Sequence, residues 1–267
     1  MATDGVDGQR VRDVLRKRGD VLAALSTDRL DKRDLGEAVG VSRSTVDRAI
    51  AELVETGLVR EADGGFEATH AGQLALETHR AYRDATDTLG AAEPLLAAIP
   101  DDAPISTDVL DDGTVTYADP ALPETALTEV LSRLPEAETL RGFAPVVKTN
   151  YVSMLEDAVV EEGLTVEIVV TAATLDSLEN SAPARAEIAE FFAADAVDVF
   201  ATEEELPYAL WLLNGPDLEH AGITVHEGGA VVGVLSNDDP DVVATYREQY
   251  EAIRDRASRF DADTLDQ

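Results

Sequence analysis

Between residues 32 and 53 the apolar positions fall into two helical runs separated by one tight turn. Leu35, Ala38 and Val39 give a short helix over 32–39 an apolar side, and Asp31 stands where a cap is needed. Gly40-Val41 forms the turn. Ser42 then caps a second helix in which Val46, Ala49, Ile50 and Leu53 recur at i, i+3, i+4 and i+7, so one face turns inward. The opposite face begins Arg43, Ser44, Thr45, Asp47, Arg48. Short polar and basic side chains at a helix N-terminus suit a helix that enters the DNA major groove end-on. Gly57 ends that helix, and residues 60–69 form a hairpin around Asp63-Gly64-Gly65. Two helices about a glycine turn, followed by a hairpin, predict a winged helix-turn-helix. Its expected DNA contacts are Arg33, Ser42, Arg43, Ser44, Thr45 and Arg48, with Arg60 at the root of the wing reaching the backbone. A small helical bundle with no DNA role is the alternative, but turn, cap, apolar face and hairpin all agree on the first reading.

The same periodicity organises the flanks. Residues 1–9 carry no pattern and are expected to be disordered. Residues 11–25 predict an amphipathic helix with Val14, Leu15, Val21, Leu22 and Leu25 inside and a weak point at Gly19. Its Arg12, Arg16, Lys17 and Arg18 either meet phosphate or form a solvated face. After the hairpin, residues 69–72 start a helix to about Leu89 with a rough apolar stripe of Leu74, Ala81, Tyr82, Ala85 and Leu89, of the kind that links domains or pairs protomers. Pro94, Pro100 and Pro104 then mark a boundary around a short helical piece.

From Ile105 the pattern alternates. Strands are expected at 114–118, 139–147, 165–170 (TVEIVV), 197–201, 208–213, 223–225 and 230–235, the last two flanking Gly228-Gly229 as a hairpin. Helices are expected at 123–134, 150–162, 183–194 and 241–260. The predicted fold class is an α+β winged helix-turn-helix domain followed by an α/β domain with a central, mainly parallel sheet whose last strands are antiparallel. The predicted domains are 1–70 (winged helix), 71–103 (linker and dimerisation helices) and 104–267 (α/β sensory domain).

Charge changes the picture. The 267 residues include 54 Asp and Glu against 21 Lys and Arg, a net charge of -33. Such a surface repels itself and DNA in dilute salt but suits near-molar salt, where the Debye length is ~3 Å. The inferred source is a salt-in halophile, most simply an archaeon. The charge is uneven: residues 1–90 hold 13 basic and 17 acidic residues, while residues 91–267 hold 8 and 37. Basic residues are kept where phosphates would be met. Counterion release gives little affinity at high salt, so base contacts and shape must carry more of the binding. With Cys 0, disulfides, thiol chemistry and cysteine metal sites are excluded. No run approaches the ~18 apolar residues of a membrane span and no signal peptide opens the chain, which predicts a cytoplasmic protein away from membranes.

Several short segments carry a family resemblance: RGFAPVV over 141–147, Asn150-Tyr151, TEEELPYAL over 202–210 and VLSND over 234–238. Together with the N-terminal pattern they make the chain, over nearly its whole length, similar to haloarchaeal winged-helix regulators with a methanogenesis-regulator (Fil-type) C-terminal sensory domain. That resemblance implies an archaeal transcription factor, dimeric, with a sensory domain of undefined ligand.

Catalytic patterns are missing. Phospholipase D chemistry needs a His-x-Lys pair, and neither His220 nor His226 precedes a Lys by two; no G-x-S-x-G, GxxxxGK[ST] or HExxH segment occurs. The acidic clusters at 203–205 and at Asp238, Asp239 and Asp241 read as solvated surface before they read as metal ligands, so neither a metal nor a cofactor is expected. A small-molecule effector is expected instead, bound beyond the carboxyl ends of the strands. The candidates are Arg141, Asn150, Tyr151, Thr171, Tyr208, Trp211, Ser236 and Asn237, with Arg141 foremost as a carboxylate or phosphate partner, unless it is spent on an internal salt bridge. The reading at this point is a dimeric regulator binding double-stranded operator DNA under effector control. Two alternatives stay open: a constitutive DNA-binding protein, and an enzyme with an appended winged-helix docking module.

Overall fold

The computed structural model describes residues 7–119, 121–180 and 182–262. Of the segment expected to be disordered, residues 1–6 lie outside the described residues, and Gly8 and Gln9 already belong to the first helix. The chain divides into two compact units, one ending at Asp84 and the other beginning at Ala85.

In the first unit the buried residues are those the 3.6-residue period selects. Helix α1 (Gly8–Thr27) buries Val14, Leu15, Val21, Leu22 and Leu25, α2 (Lys32–Val39) buries Leu35, and α3 (Arg43–Glu55) buries Val46, Ala49, Ile50 and Leu53. These side chains form one cluster with Leu58, Val59 and Leu76. Gly19 does not divide α1. A side chain there would meet the His79 ring at 3.5 Å, so the glycine lets another helix approach. Leu35 is the residue α2 buries fully; Val39, one turn on, is half-buried against the same cluster, and Ala38 is exposed. The Asp31 carboxylate caps α2 by accepting the Arg33 and Asp34 amides at 2.7 and 2.9 Å, and these bonds hold its pKa below the ordinary range. Gly40 ends α2 with φ 70, the left-handed conformation the turn requires.

Strands β1 (Val59–Ala62) and β2 (Gly65–Ala68) pair antiparallel across the two-residue turn Asp63-Gly64. Leu30 bonds Phe66 in both directions, at 3.1 and 2.8 Å, which ties the hairpin to the segment after α1. Thr69 Oγ1 accepts the Gly72 amide at 3.1 Å and starts α4 (His70–Leu96). The sequence predicts a stop near Leu89 and a separate short piece beyond it. Instead α4 runs through Pro94, because Ala92 and Leu95 are fully buried and packing outweighs the proline penalty.

The second unit is built on an eight-stranded sheet. Its strands are β3 (Thr114–Tyr117), β4 (Thr139–Ala144), β5 (Thr165–Thr171), β6 (Val197–Thr202), β7 (Ala209–Gly215), β8 (Leu218–Glu227), β9 (Ala230–Asn237) and β10 (Ser258–Arg259), in the order β10-β6-β5-β4-β7-β8-β9-β3. The expected mainly parallel sheet is mixed: β4, β5 and β6 are parallel, and all other pairings are antiparallel. The reason lies in the connections. Helices carry β4 to β5 and β5 to β6, whereas β7, β8 and β9 are joined by the two-residue turns Pro216-Asp217 and Gly228-Gly229, too short for a parallel crossover. Helices α5 (Thr128–Arg133), α6 (Thr149–Asp157), α7 (Ala172–Glu179) and α8 (Ala182–Phe192) accompany one apolar layer, with Val130, Val152, Leu175 and Ile188 against Leu140, Val166, Val170 and Leu213. Helix α9 (Pro240–Arg254) covers the other face with Val243, Tyr246, Tyr250 and Ile253 against Phe143, Val169 and Leu212. Alternate residues of β5 thus enter opposite layers, Val166 and Val170 one and Val169 the other, which is why residues 166–170 are apolar at both parities apart from Glu167. The last helix stops at Arg254, short of the expected residue 260, because Ser258 and Arg259 leave it to pair with Ala201 and Phe200 of β6.

Candidate functional site

The outer side of α3 is open within its unit. Arg43, Ser44, Asp47 and Arg48 are exposed. Ser42 is committed to capping: its Oγ accepts the Thr45 amide at 3.3 Å and lies 3.0 and 2.9 Å from the hydroxyls of Ser44 and Thr45. The helix N-terminus therefore presents three hydroxyls and two guanidinium groups. Arg48 donates through Nε to the Ser44 carbonyl at 3.2 Å, which aims it along the first turn. Among the described residues neither Arg43 nor Arg48 forms an ion pair.

Most neighbouring cations are occupied. Lys32 bonds Asp47 at 2.7 Å, Arg33 bonds Glu37 at 3.3 Å, and Arg60 and Arg29 share Glu67 at 2.7 and 2.8 Å. The bond from Arg60, and then the bond from Arg29, hold the Glu67 carboxyl below its ordinary pKa. Exposed pairs such as Arg60–Glu67 contribute ~0–1 kcal/mol and exchange readily for a phosphate. In α1, Arg18 is tied to Glu52 of α3 at 2.9 Å and is structural, while Arg12, Arg16 and Lys17 line a groove between α1 and α4 with Leu74 and Tyr82. The predicted Arg33, Ser42, Arg43, Ser44, Thr45 and Arg48 thus lie on α2 and the start of α3, and Arg60 stands on β1.

The eight expected ligand contacts do not converge. Tyr151 and Trp211 both line a cavity of about 150 Å³ on the sheet face covered by α5 and α6, with Asn150 beside Tyr151 in the first turn of α6. Arg141 is exposed on β4 between Leu140 and Gly142, which both line that cavity, so strand alternation puts it on the α9 side. Tyr208 is fully buried on that same far side, stacked on Phe143 at 5.9 Å; it donates to the Pro104 carbonyl at 2.5 Å and accepts from Gln249 at 2.7 Å. Thr171 caps α7 by accepting the Thr174 amide at 3.2 Å. Asn237 fastens a loop, donating to the Asp111 carbonyl at 2.7 Å and accepting the Asp239 amide at 2.7 Å. Ser236 is buried, and its hydroxyl has no hydrogen-bond partner among the described residues.

Two cavity residues, Lys148 and His226, are absent from the expected ligand contacts. The available signal was charge: Lys148 is the one lysine after residue 90. Among the described residues neither ring nitrogen of His226 forms a hydrogen bond of good geometry, and its one approach is to the Thr224 backbone. Burial, and then the Lys148 charge, push the imidazole down from 6.5 to about 4. The unfolded chain therefore holds one more proton than the folded chain between these values, and stability is lost as pH falls through that window. In near-molar KCl, His226→Gln is expected to lose about 1–2 kcal/mol less than the parent between pH 6.5 and 4, a figure reduced for partial solvation. Denaturant titrations at the two pH values measure this, and equal losses refute it.

Among the described residues no group of three or more His, Asp or Glu side chains is placed to hold a metal ion, and no helix is long and apolar enough to cross a membrane. In the acidic clusters Glu204 pairs with Arg256, while Asp238 meets Arg133 and Nδ1 of the buried His220.

Comparison with known proteins places these features. Residues 123–256 match the family model described as the methanogenesis regulatory protein FilR1, middle domain. Residues 10–90 match the HVO_A0261 N-terminal domain. No curated protein matches the chain by sequence. Similar solved structures include TrmBL2, an archaeal chromatin protein with a novel mode of DNA binding, at 14% identity over 95% of this chain and 100% of that one, TM-score 0.40. They also include NucT from Helicobacter pylori, at 12% identity over 56% and 99% of the two chains, TM-score 0.44. Nuc from Salmonella typhimurium, a phospholipase D family member, shows 13% identity over 56% and 99%, TM-score 0.42. Scores this low decide neither fold nor function.

Proposed function

The chain belongs to the family of the methanogenesis regulatory protein FilR1 middle domain, and on that premise we propose that it is a DNA-binding transcription regulator of a halophilic archaeon. Its first unit is a winged helix-turn-helix in which α3 reads the operator and β1–β2 is the wing. The observation that carries this reading is the exposed start of α3, where among the described residues Arg43 and Arg48 form no ion pair, Arg43 feeling only the field of Asp47, in a chain of net charge -33. A surface so acidic would leave two cations unpaired where an outside anion is to be met. Chromatin immunoprecipitation with sequencing tests it: discrete promoter peaks are expected, and a featureless genomic signal overturns it.

The second unit is a sensor in this reading and not an enzyme. Two residues after His220, where a phosphodiesterase-type pair needs Lys, stands Gly222, and a Cβ there would lie 2.3 Å from the Trp211 ring. Two residues after His226 stands Gly228, in a turn at φ 57.

The regulator works as a homodimer. Support comes from α4, where Leu74 and Tyr82 are 50% and 67% exposed along one side of the groove against α1. Large apolar side chains so placed are covered when two copies meet. Leu74→Asp with Tyr82→Asp is expected to halve the mass measured by light scattering in near-molar KCl; an unchanged mass rules α4 out as the interface. Effector binding in the second unit then shifts the dimer between geometries of different operator affinity.

A further inference from the structure

The cavity beneath α5 and α6 has a composition that fits one class of molecule. Its wall is almost wholly apolar, with Leu131, Leu140, Val152, Ile168 and Phe191 among the lining side chains. The polar exceptions are Lys148, Tyr151, Trp211, Thr224 and His226, and no carboxylate lines it, although one residue in five of this chain is Asp or Glu. Trp211 Nε1 donates to Thr224 Oγ1 at 3.2 Å, so the Thr224 hydroxyl keeps its own proton for a further acceptor. Lys148 is half-buried, with its ammonium 5.7 Å from the Tyr151 ring centroid and no ion pair among the described residues. In a unit so rich in carboxylates a half-buried lysine would ordinarily find one. Lys148 is the N-cap residue of α6, and no side chain caps that helix; an anion there would take that place. The two His226 nitrogens are buried beside it and, among the described residues, have no hydrogen bond of good geometry, only a loose approach to the Thr224 backbone, which leaves the ring able to take a better partner.

We propose that this cavity binds a small monocarboxylate, its aliphatic or aromatic body among the apolar wall residues and its carboxylate on Lys148 and His226. A single ammonium, with no guanidinium fork, suits a monoanion better than a phosphate dianion. The volume of about 150 Å³ limits the body to roughly one six-membered ring or a chain of about six carbons. This inference rests on the sensor reading for its biological meaning but not for its test.

Trp211 is the chain's one tryptophan and lines the cavity, so its emission reports occupancy in the full chain. Titration in near-molar KCl with hexanoate is expected to give a saturable change, and hexanol a much weaker one. Lys148→Met should weaken hexanoate about tenfold or more, the value of one charge-assisted bond, leave hexanol unchanged, and keep the parent melting temperature. Lys148→Arg should retain most of the affinity. Equal binding of hexanol and hexanoate, or no effect of Lys148→Met, overturns the anion assignment; no saturable response to either compound overturns the site. Operator gel shifts run in parallel separate the two readings. Saturable hexanoate binding without change in operator affinity keeps the site and removes the control, whereas loss of operator binding by the unliganded parent removes the regulator and leaves the titration to decide the cavity.

Discussion

Arg43→Ala combined with Arg48→Ala is expected to abolish specific operator binding while leaving the fold intact. A good arginine–base contact contributes about 1–3 kcal/mol of discrimination, so losing two weakens binding roughly 30-fold to 10⁴-fold. The fold should not notice. Among the described residues Arg43 holds no ion pair and Arg48 donates only to the Ser44 carbonyl of its own helix, and both are exposed, which keeps the stability change within about 0.5 kcal/mol. Arg60→Ala is the graded control. Its guanidinium already shares Glu67 with Arg29, so a phosphate gains it only by displacing that pair, and the loss should stay near tenfold or less. Salt dependence separates the roles. If the two arginines read bases, their loss persists in near-molar KCl; if they only meet phosphate, the difference shrinks as counterion release fades. Fluorescence anisotropy on a promoter taken from the immunoprecipitation measures both, and unchanged affinity of the double variant would remove α3 as the reading helix.

The first unit was legible because its signals are local. Ser42 as cap, Gly40 as turn, the Val46–Ala49–Ile50–Leu53 stripe and Asp63-Gly64 each act within a few residues of themselves. The second unit was legible as elements but not as pairings. Nothing near Ser258 announces β6 as its neighbour, and a helical stripe that continues in the sequence through Ala257 and Phe260 hides the end of α9 at Arg254. Two of the five antiparallel pairings follow from tight turns, of which the sequence reading uses only Gly228-Gly229; without Pro216-Asp217 the expected 223–225 covers three of the ten residues of β8. Helix α7 escaped because only Leu175 and Leu178 mark its inner side. Among expected ligand contacts, Tyr151 and Trp211 reached the cavity, but Arg141 is carried to the other face by strand parity, which favours Leu140. Residue type proposes a contact; parity and pairing decide which face it serves.

Gly222→Ala is expected to have the largest effect on stability in the second unit. The added Cβ would lie 2.3, 2.7 and 2.8 Å from three atoms of the Trp211 indole. That ring cannot swing aside at small cost: it is 8% exposed, bonds Thr224 through Nε1 and packs on the His220 ring at 5.0 Å. Overpacking of this kind costs about 1–3 kcal/mol, and freeing the buried N–H adds about 1–3 more. A net destabilisation of about 2–6 kcal/mol follows, large against the ~5–15 kcal/mol of a typical domain. Gly90→Ala is the matched control. It lies in α4 with nothing within 4 Å of its Cβ position, so alanine there should stabilise by about 0.5–1 kcal/mol through helix propensity. Because Trp211 is the only tryptophan, its emission should shift to the red in the native Gly222→Ala protein, ahead of any unfolding, as the indole is driven from its packed position. The displaced ring has the cavity on its other side, so hexanoate affinity should fall together with stability, while operator binding by the first unit survives below the lowered melting temperature. A Gly222→Ala protein with parental emission and melting point would mean that Trp211 does not fill the space above β8, and the steric case against a His-x-Lys pair would fall with it.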